Sequence, residues 1–306
     1  MSVRIGIGLS TQPFSTPQAW LRWARLCDEL GIDSLWQTDR LVSTDAQLEA
    51  LSAMAALAGA TERIRFGMNA VVVSTRDPLV LAKQCATIDW LSGGRLLPVF
   101  GVGNANAPEW AAMGRSPAGR GVRADEALEL MRRLWSEEKV DFEGEHFRCR
   151  GASIAPRPLQ QPLPLWIGGH SKAAIARTAR IGTGWLGGLQ DPATVGPVIA
   201  AIRREAEALG RRIAPDHFGA TFPFRIGRAD DPLVTGYAAA MGRAGIDAAS
   251  WVAAGSPQAV IDRCRAYRDA GAHKFVLIPL ARGDDDLVDQ TRRLAGDVIP
   301  VVHAWD

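Results

Sequence analysis

The chain has 306 residues, of which 47% are hydrophobic, ample for the core of one large α/β unit or two ordinary ones. Thirty-five Lys and Arg stand against 33 Asp and Glu, a net charge of +2, and the basic residues (Arg203, Arg204, Arg211, Arg212) are scattered along helical faces, so no nucleic-acid partner is expected. No apolar run approaches a membrane span, no basic-then-apolar leader is read at the start, and Cys27, Cys85, Cys149 and Cys264 have no paired spacing, which together imply no membrane, reduced thiols and a cytoplasmic location.

From the first residues onward, short apolar runs alternate with helical patterns, the signature of a parallel sheet with crossover helices. The expected strands are VRIGIGL (3–9), DSLWQ (33–37), RIRFGMNAV (63–71), RLLPVFGV (95–102), LPLWIGG (163–169), GWLGG (184–188), HFGATFPFRIG (217–227) and HKFVLIPL (273–280). Eight is the number a barrel needs, and the runs are continuous rather than alternating, as in strands buried on both faces. Thr16 and Pro17 supply a cap and a first-turn proline for a helix whose stripe Trp20, Trp23, Cys27 and Leu30 ends at Gly31. Comparable helices are expected at 47–59, 78–91, 171–181, 192–209, 257–270 and 285–295. The first strand ends GIGLSTQP, where no helix opens on the glycines, so a dinucleotide-binding open sheet is disfavoured. No Pro/Gly/Ser linker divides the chain, and a single (β/α)8 TIM barrel over residues 1–306 is the expected fold.

Two connections exceed simple barrel loops. Residues 102–162 hold the stripe Ala127, Leu130, Met131 and Leu134 and a polar, strand-like VDFEGEHFRCR; residues 228–256 hold several glycines. As insertions after strands 4 and 7 both leave C-terminal strand ends, the face where such barrels do chemistry, and they are the expected walls and lid of a pocket.

The run PLPLWIGGHSKAAIARTARIGTGW (162–185) is a hydrophobic strand that ends in paired glycines and turns directly into a helix. Gly168 and Gly169 let backbone approach a ligand, Ser171 can cap the helix, and the free amides behind it favour a phosphate. On the residues alone, a tight strand-to-helix turn without a ligand stands beside that reading. Other chemistries lack their groups. No serine sits in a nucleophile elbow with a triad, and Lys274 lies at the very start of the eighth strand, so hydrolase and aldolase readings lose their nucleophiles. His146, His217, His273 and His303 do not cluster with cysteines or carboxylates at ligand spacings, and no metal site is expected.

ELGIDSLWQTD (29–39), ATERIRFGMNAVVVSTRDPLVLAKQCATIDWLSGGRL (60–96), FGVG (100–103), DEALELMRRLW (125–135), DFEGEHF (141–147) and 162–185, taken in order, resemble the bacterial-luciferase-like (LLM class) flavin-dependent oxidoreductases over nearly the whole chain. The resemblance implies a (β/α)8 barrel that binds FMN, or the deazaflavin coenzyme F-420, with its phosphate at Gly168, Gly169, His170 and Ser171. His170 would give its backbone N–H, or a hydrogen bond, to that phosphate. The ring would lie over Asn69 and Ala70, where a non-proline cis peptide of the family maps; the plainer reading of Asn69 is a polar cap of the strand end.

The same resemblance makes Asp39, Arg40 and Asn104 the catalytic candidates: relatives often carry, straight after the acid at the end of strand two, a histidine for proton transfer or for orienting reactive groups. The histidine that often follows is Arg40 here, and the position after FGVG, a glutamate or arginine in some relatives, is Asn104. Arg40 cannot act as a base; it suits an anionic substrate or the charge of reduced flavin, or it pairs with Asp39 for structure. Trp36 and Trp185 fit core or ring-stacking roles equally, and Ser10 and Gln12 are further pocket candidates. The implied activity is FMN-dependent monooxygenation of a small organic substrate with reduced flavin from a partner reductase. A coenzyme F-420-dependent dehydrogenase or reductase is the alternative, a non-catalytic flavin-binding protein the third reading, and the Ala- and Leu-rich helices are compatible with a homodimer.

Overall fold

Runs such as RIGIGL and FGATFPFRI have no polar face, and both fold as strands buried on their two sides. The computed structural model describes residues 3–243, 245 and 247–305. Its strands are β1 (Arg4–Leu9), β2 (Ser34–Gln37), β3 (Arg65–Met68), β4 (Val71–Val72), β5 (Val99–Gly101), β6 (Val140–Glu143), β7 (Arg148–Ala152), β8 (Trp166–Gly168), β9 (Gly184–Leu189), β10 (Phe218–Ile226), β11 (Ala253–Gly255) and β12 (Lys274–Pro279). The main sheet runs β3-β2-β1-β12-β10-β9-β8-β5-β4, with parallel neighbours throughout. β3 and β4 are two pieces of the expected run 63–71, interrupted at the cis peptide Asn69–Ala70, so the path closes on itself and makes a (β/α)8 barrel. A parallel bridge between Phe66 and Leu96 spans the seam.

Inside the barrel, Trp36, Leu97, Val99, Trp166, Leu186 and Val276 pack as one cluster against Ala70, separate from the larger core between sheet and helices. The indoles fit because their neighbours are bare. A Cβ on Gly67 would stand 2.7 Å from the Trp36 ring, and one on Gly184 only 2.4 Å from the Trp166 ring. Trp36 is thus barrel core.

A polar chain continues this interior toward the N-terminal end. Trp36 Nε1 donates to Ser34 Oγ at 2.9 Å, and Ser34 Oγ donates to Asp33 Oδ2 at 2.8 Å. Asp33 in turn pairs with the buried ammonium of Lys274. A cavity of about 660 Å³ opens beneath, with Arg4, Arg65 and His217 in its walls.

The outer helices start where side chains satisfy their first amides. Thr16, Asp77, Asp191 and Ser256 each cap a helix whose first residue is proline, at Pro17–Glu29, Pro78–Leu91, Pro192–Ala208 and Pro257–Asp269. The helix expected from 47 begins at Ala50, because Glu49 is the residue that accepts from Ser52 N, at 2.7 Å. The one expected at 285–295 spans Gly283–Arg293 and continues through a wider, π-type turn, Leu294–Val298. The strand expected over 95–102 shortens to Val99–Gly101: Arg95 is drawn aside to donate to the carbonyls of Ala58, Thr61 and Ile64, and Pro98 has no N–H to pair.

The first insertion folds as helices Pro108–Ala112 and Arg120–Ser136 followed by the antiparallel hairpin β6–β7. The second forms helix Pro232–Arg243 and then β11, which adds in parallel to the end of β10; Ala244 and Ile246 of this segment lie outside the described residues. Among the described residues no helix is long and apolar enough to cross a membrane.

Candidate active site

The C-terminal mouth has a floor of small residues. Ala70 lies between Gly101 and Gly168, and a Cβ on either glycine would stand 3.5 Å from the Ala70 Cβ. Asn69 is held from two directions. Its N–H donates to Gln37 O at 2.9 Å, and its Nδ2 reaches Thr221 Oγ1 of β10, also at 2.9 Å. The side chain that was expected either to cap a strand or to meet a ring is therefore a fixed tie from the end of β3 to the interior of β10.

The glycine turn follows β8. Gly169 has φ +102°, a conformation that L side chains rarely adopt. Ser171 Oγ accepts from Ala174 N at 3.2 Å and caps the helix Lys172–Ile181. The remaining first-turn amides have no intrahelical acceptor and set a positive field at the turn, where His170 is exposed. The turn carbonyl is anchored from the outer core: Trp185 Nε1 donates to Gly169 O at 2.7 Å. Trp185 is fully buried and belongs to the core between sheet and helices.

Asp39 is engaged on both oxygens. Arg76 NH1 and NH2 donate to Oδ2 and Oδ1 at 2.6 and 2.8 Å, and Val72 N donates to Oδ2 at 2.8 Å. Arg76 also reaches Glu49 Oε1 at 3.1 Å. Burial works against the Arg76 charge, but Asp39 and Glu49 more than offset it and raise its pKa. The Asp39 partner is thus Arg76, not Arg40, and this carboxylate ties β4 to the end of β2. Nothing local to STRDP signals that pairing.

Arg40 and Asn104 meet across a cavity of about 180 Å³ whose other walls include Leu41, Val72, Thr75 and Trp110. Asn104 is folded into its own loop, with Oδ1 accepting from Asn106 N at 2.9 Å and O from Trp110 Nε1 at 2.8 Å. Gly103 before it has φ +74°, and a Cβ there would collide with Val72 Cγ1 at 2.8 Å. The residue facing Arg40 is Glu109, from the short helix Pro108–Ala112, with Oε1 at 3.9 Å from NH1. Sequence reading missed it; an acid just inside a proline-started turn was the available signal. Gln12 N donates to Ala46 O at 2.7 Å and joins the first two loops of the mouth, while Ser10 is exposed.

Glu126, Glu145 and His146 bring potential metal ligands together at the β6–β7 turn. The Glu126 carboxylate there accepts from the amides of Glu145, His146 and Phe147 at 3.0, 2.8 and 3.2 Å, which makes it a cap for that turn.

The chain is similar to an F420-dependent glucose-6-phosphate dehydrogenase of Amycolatopsis mediterranei, 30% identical over 193 residues that cover 60% of this chain and 57% of that protein. It is also similar to the pyrimidine monooxygenase RutA of Cronobacter sakazakii, 32% identical over 180 residues that cover 55% of this chain and 51% of that one. The chain spans about half the length of the curated relatives it matches. Among solved structures, the monooxygenase RslO1 from Streptomyces bottropensis has the same fold, with a TM-score of 0.84 at 23% identity over 97% of this chain and 99% of that one. Residues 1–245 match the family described as luciferase-like monooxygenase, and the chain belongs to that family.

Proposed function

We propose that the chain is a flavin-dependent oxidoreductase that uses reduced FMN to oxygenate a small organic substrate held beside Arg40. The observation that carries this reading is the continuity of the small-residue floor at Gly101, Ala70 and Gly168 with a glycine turn and a helix N-terminus. A flat aromatic ring suits the first and a phosphate tail the second. The residues fit the cofactor: Ala70 with its flanking glycines would bear the ring, and the amides around Gly169, His170 and Ser171 would hold the phosphate. When bound, FMN supplies two-electron reducing equivalents and reactivity toward oxygen, whereas F-420 supplies hydride transfer alone.

The protein's own part is positioning and charge. Asp39 and Arg76 lock β4 under the mouth, Asn69 is fixed by Thr221, and Arg40 contributes a permanent cation at the rim. Asp39, with both oxygens occupied, orients backbone rather than moving a proton. No nicotinamide fingerprint accompanies the site, so reduced flavin would come from a partner reductase.

The second reading, a coenzyme F-420-dependent dehydrogenase or reductase, is favoured by the 30% identity to the Amycolatopsis enzyme. Anaerobic titration of the apoprotein with reduced FMN and with reduced F-420, followed by oxygen, separates the two. Tight FMN binding and oxygen-dependent turnover support the first; selective F-420 binding with no response to oxygen replaces it with the second.

A further inference from the structure

The cavity between Arg40 and Glu109 carries a hydrogen-bonding pattern of its own. Glu109 is 9% exposed, and its Oε1 has two long contacts, Leu41 N at 3.4 Å and Arg40 NH1 at 3.9 Å. Its Oε2 is buried with no hydrogen-bond partner among the described residues. A buried carboxylate oxygen left without a donor is costly, so a donor completes the site. Arg40 is 47% exposed and makes no other ion pair among the described residues, leaving N–H groups for an acceptor. Leu41, Val72 and Trp110 give the cavity an apolar body.

The two charges nearly cancel, which selects against ligands that carry charge. An anion would meet Glu109 and a cation would meet Arg40, each a like-charge contact. What satisfies both groups is a neutral edge presenting a donor beside an acceptor. From this we infer that the pocket binds substrates through a neutral amide edge, its N–H given to Glu109 and its C=O accepting from Arg40. At about 180 Å³ the space limits the bound part to a single small ring or its equivalent. The inference rests on the reading of this mouth as an oxidoreductase site, and it adds the substrate class.

Benzamide, benzoate and benzamidinium have one shape and differ only in donors and charge. Their affinities are measured by calorimetry or ligand-observed NMR on the apoprotein and on the FMN-loaded protein, with FMN binding measured separately. Wild type should prefer benzamide over both ions by at least about tenfold. Glu109→Gln leaves Arg40 unopposed and should move the preference to benzoate; Arg40→Gln leaves Glu109 unopposed and should move it to benzamidinium. A wild type that prefers either ion, binding of none of the three, or an order unchanged in both variants would overturn the inference. If FMN fails to bind while the apoprotein keeps the expected order, the flavin reading falls and the amide site stands.

Discussion

At the N-terminal end of the barrel, Trp36, Ser34, Asp33 and Lys274 form a chain in which each polar group has found a partner. At the C-terminal mouth the same strands lead into segments where partners are missing: Gln12 Oε1, Gln47 Oε1, Glu109 Oε2 and Gln190 Oε1 are all buried and unpaired among the described residues. Arg225 Nε, near the end of β10, lacks hydrogen-bond geometry too but lies 2.8 Å from Asp231 Oδ2. Buried polar groups are nearly always satisfied, so these exceptions, gathered at one end, are places that water or ligand atoms would complete. One end of the barrel is finished by the fold, and the other awaits chemistry.

The comparison is broken or sharpened most strongly at Lys274. Lys274→Met strands the Asp33 carboxylate and should cost about 3–5 kcal/mol in urea unfolding, while FMN affinity of the folded fraction stays unchanged. Lys274→Met combined with Asp33→Leu should recover most of that loss. A single variant as stable as wild type would show that the lower end is as loosely held as the mouth.

Gly169→Val should have the reverse profile. Its stability cost is on the order of 1–3 kcal/mol for a non-glycine residue at that φ, but FMN affinity should fall about 100-fold, ~2.7 kcal/mol, in fluorescence titration. Undiminished affinity would move the phosphate to another turn.

Acid comes next. Burial alone would raise the Asp33 carboxyl, but the Lys274 ammonium and the Ser34 hydroxyl hold it below its ordinary 3.8. Its folded pKa is therefore depressed, so its contribution to stability is present above pH 3.8 and is lost as the pH falls through the folded value. Unfolding free energy measured from pH 6 down to 3 should drop for wild type, and Asp33→Asn should lack that component of the slope. Equal slopes would mean that Asp33 is not held by its pair.

The smallest effect is expected at Arg40. Arg40→Ala should change the melting free energy by less than about 0.5 kcal/mol, because its pairing is long and half exposed. Turnover should nonetheless fall, with Arg40→Lys retaining more than Arg40→Ala. Equal activity in all three proteins would make Arg40 a surface residue.

Most of the frame was legible because it is written locally. Continuous apolar runs gave all the barrel strands, and Ser, Thr or Asp before proline gave the helix starts at Pro17, Pro78, Pro192 and Pro257. The glycine turn at 168–171 was legible for the same reason. What escaped depends on contacts between distant segments. Arg76 is 37 positions from Asp39, and Glu109 is 68 from the amide of Leu41 that it accepts from. Neither pairing leaves a spacing signal, so the sequence offered Asp39 and Arg40 only each other as structural partners, whereas Asp39 pairs with Arg76 and Arg40 faces Glu109. The indole of Trp185 could have been assigned to stacking or to packing on sequence alone; its hydrogen bond to Gly169 decides for the outer core.

That bond also gives the protein a built-in optical gauge. The chain has ten tryptophans, yet Trp185 is the one whose N–H is committed to the carbonyl of the glycine turn. A ligand seated on the turn amides polarises that peptide and so the indole hydrogen bond. The emission of Trp185, isolated as the difference between wild type and Trp185→Phe, would then report arrival of a phosphate group separately from arrival of the ring, and the two halves of cofactor binding could be timed against each other.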